Sequence, residues 1–290
     1  MNTTRFRIAH ISDLHFAEPT LSPLQFFSKR WVGNLYQMFS RSKYLDSSQL
    51  EKLVDQFIAL KIDYVFITGD LTTTSRIQEL RHAADFAAKL QSQGLRVIAI
   101  PGNHDHYTRK ACRQKLFYRF FPDYRENGFS LKDDGLALIP LHEGWTLLAL
   151  DTACATSLFS SQGNFHSKIE SSLKSALLKI PARQNVILMN HFPLFEHEKP
   201  NKTLLRATAL RTLVASHPNI RFYLHGHTHT HCLADLRASR YPIILDSGST
   251  SQITAGSWNM LDLASSEATV HVYRSSHSSA PAEQTSFSWE

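Results

Sequence analysis

The sequence predicts an α/β fold built on a mainly parallel sheet with covering helices. Three observations carry this expectation. Strand-like apolar runs alternate with helical patterns over residues 6–100, the alternation of a parallel sheet. Each run is short and apolar throughout, as suits a strand buried on both faces. The runs also close on one chemical kind of residue, Asp, His or Asn. Open α/β sheets gather their ligands beyond the carboxyl ends of the strands.

The elements follow in order. Phe6 to Ile11 is the first run and leads into Ser12-Asp13-Leu14-His15. Residues 17–46 break the pattern and are basic and aromatic. Ser48, Gln49, Leu50 and Glu51 match a capping box, and Leu50, Leu53, Val54, Phe57 and Ile58 follow at helical spacing. Residues 64–68 form a second strand, closed by Gly69-Asp70. A second capping box, Ser75 to Gln78, opens a helix to about Leu90 that Gly94 stops. Residues 96–100 are a third strand, closed by Pro101-Gly102-Asn103-His104-Asp105.

Further along, runs 136–141 and 145–150 flank His142-Glu143-Gly144, which reads as a hairpin turn. A third capping box, Ser167 to Glu170, opens a helix carrying Ile169, Leu173 and Leu177. Residues 185–189 are a strand ending at Asn190-His191, and 203–216 a helix. Residues 220–224 are a strand ending at His225-Gly226-His227-Thr228-His229. Short strands follow near 231–236, 242–246, 258–263 and 268–273. No repeat or linker interrupts the chain. Residues 1–274 therefore read as one domain, with 17–46 a cap-like insert and 275–290 a flexible polar tail.

Composition narrows the function. With 290 residues, 42% of them apolar, the chain can bury a real core. Its three cysteines, Cys112, Cys154 and Cys232, are far apart and odd in number, against a disulfide framework or a cysteine zinc site. They fit a reducing compartment, the cytoplasm. The opening residues MNTTRFRIAH lead into a strand rather than forming a signal peptide. No run of 18 apolar residues exists to span a membrane as a helix. A net charge of +6 favours anionic partners such as phosphates, nucleotides or lipid head groups.

The strand ends supply Asp13 with His15, Asp70, Asn103, His191, and His227 with His229. This donor set, free of cysteine, suits Mn²⁺, Fe or Zn²⁺ better than soft ions. In Asp13-Leu14-His15 an extended chain puts the alternate residues on one side and sends Leu14 into the core. The same alternation in His227-Thr228-His229 offers one imidazole to each of two ions. Gly69 permits a sharp turn before Asp70, and Gly226 a close backbone approach.

The ordered series D-L-H, G-D, G-N-H-D, a single H and G-H-T-H resembles the calcineurin-like metallophosphoesterase superfamily, over roughly residues 6–273. The resemblance implies a four-layer αββα sandwich of two mixed sheets, with the metal site at the carboxyl ends of the strands. It implies that Asp13, His15 and His229 hold a first divalent ion, that Asn103, His191 and His227 hold a second, and that Asp70 bridges them. His104 matches the histidine that contacts the scissile phosphate, with Asp105 orienting it. Two ions about 3.5–4 Å apart lower the pKa of a shared water, and the resulting hydroxide attacks phosphorus in line.

Within that family the expected activity is a phosphodiesterase acting on a small nucleotide or related ester. The insert's KR-x-x-G-N stretch is loosely similar to inserts in bacterial members grouped with cyclic-nucleotide phosphodiesterases. One alternative is a UDP-2,3-diacylglucosamine pyrophosphatase of lipid A synthesis, with the insert as acyl-binding cap. Well-known members of that activity often carry Arg where this chain has His104. Another is a non-catalytic scaffold of the retromer type, against which the complete ligand set speaks. Nucleic acid is not an expected partner.

Residues 24–43 combine Phe26, Phe27, Trp31 and Phe39 with Lys29, Arg30, Arg41 and Lys43. They read as a buried helical cap or as a peripheral contact with the inner membrane surface. His106 and His197 are candidates for substrate contact or the site rim. His10, His82, His142, His166, His217, His231, His271 and His277 read as ordinary core or surface residues. Asp151 reads as structural, Asp246-Ser247-Gly248-Ser249 as a turn, and Cys154 and Cys232 as small core residues.

Overall fold

The structure is a computed structural model. It describes residues 5–18, 47–142, 144–157, 160–195, 199–274, 278 and 280–289, and of Ser47, Ser48, Gln49 and Glu51 the backbone alone. The expectations for the insert from residue 19 onward, for His197 and for His277 lie outside the described residues.

Strands β1 (Phe6–Ile11), β2 (Tyr64–Ile67) and β3 (Arg96–Ala99) run parallel and side by side. Beyond β1 the sheet continues antiparallel through β12 (Ser257–Leu263), β13 (Glu267–Arg274) and β14 (Glu283–Ser288). A second sheet holds β5 (Trp145–Leu150), β7 (Asn185–Met189), β9 (Ile220–His225) and β11 (Ile243–Asp246) in parallel. Its edges are the antiparallel strands β4 (Leu136–Pro140) and β10 (Cys232–Asp235). Each sheet thus has six strands, in the orders β14-β13-β12-β1-β2-β3 and β10-β11-β9-β7-β5-β4. Two-residue strands β6 (Gly163–Asn164) and β8 (Leu204–Leu205) pair separately.

Side-chain alternation along the strands sorts the core into three apolar layers. Ile8 and Phe66 meet Ile139, Leu147, Ile187 and Phe222 between the sheets. Ala9, Ile11, Val65 and Ile67 face outward onto Leu53 and Phe57 of α1 (Ser47–Ala59) and Leu80 and Leu90 of α2 (Ile77–Ser92). On the far side, Val186 and Leu188 meet Leu173 of α5 (Ser167–Lys179) and Leu210 of α6 (Ala207–Ala215). The result is the expected αββα sandwich of two mixed sheets. Short helices α3 (Arg109–Arg113) and α4 (Leu131–Asp134) lie between β3 and β4.

Several expectations are corrected. Residues 283–288 are an edge strand rather than part of a loose tail. Phe287 reaches the core between the sheets, and Trp289 packs edge-on against Trp145 at 5.6 Å. One buried apolar side chain suffices to seat an edge strand, so no alternating pattern announced it. The carboxylate that caps α2 is Glu79, not Gln78: it accepts from the amides of Thr74 (2.9 Å) and Arg76 (3.1 Å). Ser167 lies inside α5, whose N-cap, His166, gives no side-chain hydrogen bond. Glu170 turns instead to Lys174 at 2.6 Å and to Arg206 at 2.5 Å. The helix expected over 203–216 is confined to α6, because Leu204 and Leu205 join the small sheet. Cys154 is half-buried and Cys232, on edge strand β10, is exposed, so neither is a core residue.

Candidate metal centre

Adjacent strands β1, β2 and β3 of one sheet and β7 and β9 of the other deliver their following loops to one edge of the sandwich. Backbone bonds fasten these loops to each other. The amide of Asp13 donates to the carbonyl of Gly69 and that of His15 to Asp70, each at 3.0 Å. The amide of Gly226 donates to the carbonyl of His191 at 3.1 Å. Side chains continue the lacing: Ser249 and Ser251 hydroxyls donate to the carbonyl of Asp13 at 2.8 and 2.9 Å.

Backbone conformation, not strand alternation, aims the side chains. Asp13, His15, Asp70, His227 and His229 have φ of 55°, 50°, 51°, 73° and 57°, all left-handed. This corrects the extended reading of Asp13-Leu14-His15 and of His227-Thr228-His229. Left-handed turns swing each side chain off the strand direction toward the edge, while Leu14 is buried as expected. The glycines are needed for approach. A Cβ on Gly69 would lie 2.7 Å from His191 Nδ1, and one on Gly226 would lie 2.5 Å from Asp13 Oδ2.

The donors gather in two groups. Asp13, His15 and His229 offer atoms within 4.8 Å of one another, and so do Asp70, His191 and His227. In the first group His15 Nε2 and His229 Nε2 are 3.0 Å apart, and His229 Nε2 is 3.1 Å from Asp13 Oδ1. Asp13 Oδ1 is buried and accepts no hydrogen bond. In the second group His191 Nε2 lies 3.4 Å from Asp70 Oδ2 and 3.2 Å from Asn103 Oδ1. Asn103 therefore adjoins the second group. Asp70 Oδ1 accepts from the amide of His104 at 2.7 Å.

Carbonyl groups fix the rings. His191 Nδ1 donates to Thr68 O at 2.7 Å, which turns Nε2 toward Asp70 and Asn103. His227 Nε2 donates to Lys202 O at 2.9 Å, which leaves Nδ1 with its lone pair. His104 Nδ1 donates to Thr73 O at 2.6 Å, and its ring stacks on Tyr107 with centroids 5.4 Å apart. This corrects the role expected of Asp105. Its carboxylate makes no hydrogen bond with the His104 ring, but accepts from the amides of Leu71 (3.2 Å), Thr72 (2.8 Å) and Gly102 (2.9 Å). Asp105 thereby clamps the loops after β2 and β3 together.

The electrostatics of the two groups favour positive charge between them. Burial opposes ionisation of Asp13, but His229 and His191 hold its carboxyl well below the usual range. Burial likewise acts on Asp70, and His191 and His104 hold it low. His191 is buried, yet Asp70 and Asp13 raise it to about 9. His15 and His227 are pushed down to about 3, chiefly by burial and then by neighbouring imidazoles, so both present lone pairs. Two anionic carboxylates, an unsatisfied carboxylate oxygen and facing imidazole nitrogens fit divalent cations.

Sequence reasoning did not find the carbonyls of Thr68, Thr73 and Lys202, because a backbone acceptor leaves no mark in residue type. It also read Asp246, the last residue of β11, only as part of a turn. Asp246 Oδ2 accepts from Thr228 Oγ1 at 2.6 Å and lies 3.2 Å from His225 Nδ1, tying the His227–His229 loop to β11. Its position at the end of a strand was visible, but the partners Thr228 and His225 were not.

Comparison with known proteins agrees with this geometry. The sequence profile of the calcineurin-like phosphoesterase family matches residues 6–231. No curated protein matches in a sequence search. Among solved structures, a dimetal phosphatase from Danio rerio superposes with TM-score 0.69 at 13% identity, covering 98% of this chain and 99% of that one. A purple acid phosphatase from yellow lupin (Lupinus luteus) seeds gives 0.64 at 12%, covering 99% of this chain but 54% of its own. GAP50, the anchor in the inner membrane complex of Plasmodium, gives 0.59 at 10%, covering 99% and 89%. At such identities these likenesses show the fold. The family match, together with the two donor groups, points to two divalent metal ions. The chain belongs to the calcineurin-like phosphoesterase family and is a metallophosphoesterase, a hydrolase of phosphoric esters.

Proposed function

We propose that this enzyme is a dinuclear phosphodiesterase. In this reading Asp13, His15 and His229 hold one ion, Asn103, His191 and His227 hold the other, and Asp70 bridges them. The observation that carries it is the buried Asp13 Oδ1, without a hydrogen bond and facing two imidazole nitrogens 3.0 Å apart. Such an oxygen is costly to bury unless a cation completes it. When bound, two such ions acidify a water molecule and draw charge from the phosphoryl oxygens. Manganese, iron and zinc all suit the donor set.

The protein's own groups then do the rest. His104 is held through Nδ1, so Nε2 is the atom that contacts the phosphoryl group and passes a proton to the leaving oxygen. Asp105 keeps the loop bearing Asn103 and His104 fixed against Thr72. The carboxylates of Asp13 and Asp70 stay ionised, which keeps the centre ready for cations. No disulfide joins Cys112, Cys154 and Cys232, which supports a reducing, cytoplasmic setting.

A lipid-linked substrate is the second reading, supported by the aromatic and basic residues of segment 24–43. One substrate panel on metal-reconstituted protein tests both. The first reading expects turnover of bis-p-nitrophenyl phosphate and cyclic nucleotides above that of p-nitrophenyl phosphate. Cleavage of UDP-2,3-diacylglucosamine alone would replace it with the second.

A further inference from the structure

Near the carboxyl ends of β3 and β5 lies a cavity of about 480 Å³ whose walls the chemistry above does not use. It opens where the loop after β3 meets the loop after β5 and the start of α5. The first loop carries Asn103 and, three residues on, His106. The second carries Asp151, one strand away from the loop of His191. The cavity thus shares the carboxyl edge of the sandwich with the two donor groups.

His106 lines this cavity and is 3% exposed. Its Nε2 lies 3.5 Å from Asp151 Oδ2, while its Nδ1 is buried with no hydrogen-bond partner. A buried ring nitrogen left unpaired is costly and invites a ligand. The start of α5 supplies the second feature. Ser167, Lys168 and Ile169 line the cavity, and His166 gives their amides no side-chain cap. First-turn amides have no intrahelical acceptor, and the helix dipole adds positive potential there.

The charged lining agrees. Lys115, Lys132 and Lys168 face Asp133, Asp134 and Asp151 around the cavity. The carboxylates are already engaged. Asp133 pairs with Lys115 at 3.0 Å and Arg125 at 2.6 Å. Asp134 pairs with Lys168 at 3.4 Å and accepts from the Ser130 amide at 3.1 Å. Asp151 accepts from the Tyr118 hydroxyl at 2.6 Å. The donors left over are His106, Lys132 and the first-turn amides of α5. Asp151 raises the pKa of His106 against the opposing effect of burial, so the ring can be the cationic donor.

We propose that this cavity is an anion subsite that takes a second phosphate, carried by the leaving group of the ester or by free inorganic phosphate. The subsite stands on its own residues; only its use by a substrate rests on the phosphodiesterase reading.

The test is a titration of inorganic phosphate into the full-length, zinc-reconstituted protein. The His106 ring ¹⁵N resonances are followed by NMR, and binding is measured in parallel by calorimetry. The Nδ1 resonance should shift and saturate. His106→Gln and Lys132→Ala should each lower phosphate affinity at this subsite by about tenfold, the loss of one charge-assisted hydrogen bond. Binding at the metal centre should persist in both variants. A His106 resonance that does not move, or equal phosphate affinities in wild type and both variants, would overturn the subsite. Two diesters that differ only by a phosphate on the leaving group then identify the source. A rise in KM confined to the phosphate-bearing ester assigns the site to the leaving group; equal KM values beside weakened phosphate binding assign it to free phosphate. Failure to hydrolyse either diester would count against the phosphodiesterase reading and leave the resonance titration to decide the subsite.

Discussion

Asp13, His15, Asp70, His227 and His229 each adopt a backbone conformation that costs a non-glycine residue about 1–3 kcal/mol. The bonds among their loops hold them there, and the strain sets the direction of the donors. Residue types were legible in the sequence because Asp, His and Asn recur at strand ends. Their convergence was read for the wrong reason, since left-handed turns rather than alternation achieve it. The role of His104 is separable from that of the donors. His104→Ala should keep the metal content of the wild type and lose about 10²–10⁴ in turnover, the range for a general acid. Loss of metal together with activity, by elemental analysis, would remove that assignment. The metal-free protein should also show a pH-dependent stability. His10, His15 and His227 are pushed down to about 3, chiefly by burial, and titrate near 6.5 when unfolded. Below pH 6.5 the unfolded chain therefore binds protons that these three folded residues refuse, and stability falls. Asp105, raised to about 6 by burial and Asp70, offsets this with one proton as pH falls from 6 toward 3.8. His191, raised to about 9 by Asp70 against burial, contributes fully below 6.5 and is lost as pH rises through 9. Calorimetric melting of metal-free protein should thus decline from pH 6.5 to 4.5. A melting temperature that rises on acidification over this range would contradict the buried neutral imidazoles.

At the scale of elements, the strands that carry the site were all visible as short apolar runs ending in a ligand type. Less visible were features that depend on partners distant in sequence. β14 is seated by Phe287 in a core whose other walls come from β5, β9 and β13. The cap of α2 comes from Glu79, which also reaches Thr74 five residues upstream, a contact the four-residue motif does not describe. At the start of α5, Arg206 and Lys174 draw Glu170 away from a capping role that its spacing predicts. The loops themselves tolerate little. A Cβ at Gly226 would overlap Ser12 and reach 2.5 Å from Asp13 Oδ2, so the β9 loop would have to leave the β1 loop. Gly226→Ala should lower the melting temperature and metal content together. Full occupancy in that variant would show that the two loops do not need their close approach.

For the whole molecule, two mixed sheets stacked face to face place five loops from two separate sheets at one edge. Neither sheet alone holds a complete donor set: the first supplies Asp13, His15, Asp70 and Asn103, the second His191, His227 and His229. Both observed groups mix residues from the two sheets. Both sheets must therefore be in place to assemble either group, and cations bound there should stabilise the fold by mass action. The order of motifs along the chain made this architecture legible through family resemblance, whereas pairing between β1 and β12 joins segments too far apart for local pattern to reveal. The central claim is a centre of two ions joined by Asp70, and elemental analysis after reconstitution with Mn²⁺ and removal of free metal tests it most directly. The account predicts close to two ions per chain in the wild type and loss of both in Asp70→Ala; one ion or none in the wild type, or a fully loaded Asp70→Ala protein, would contradict it.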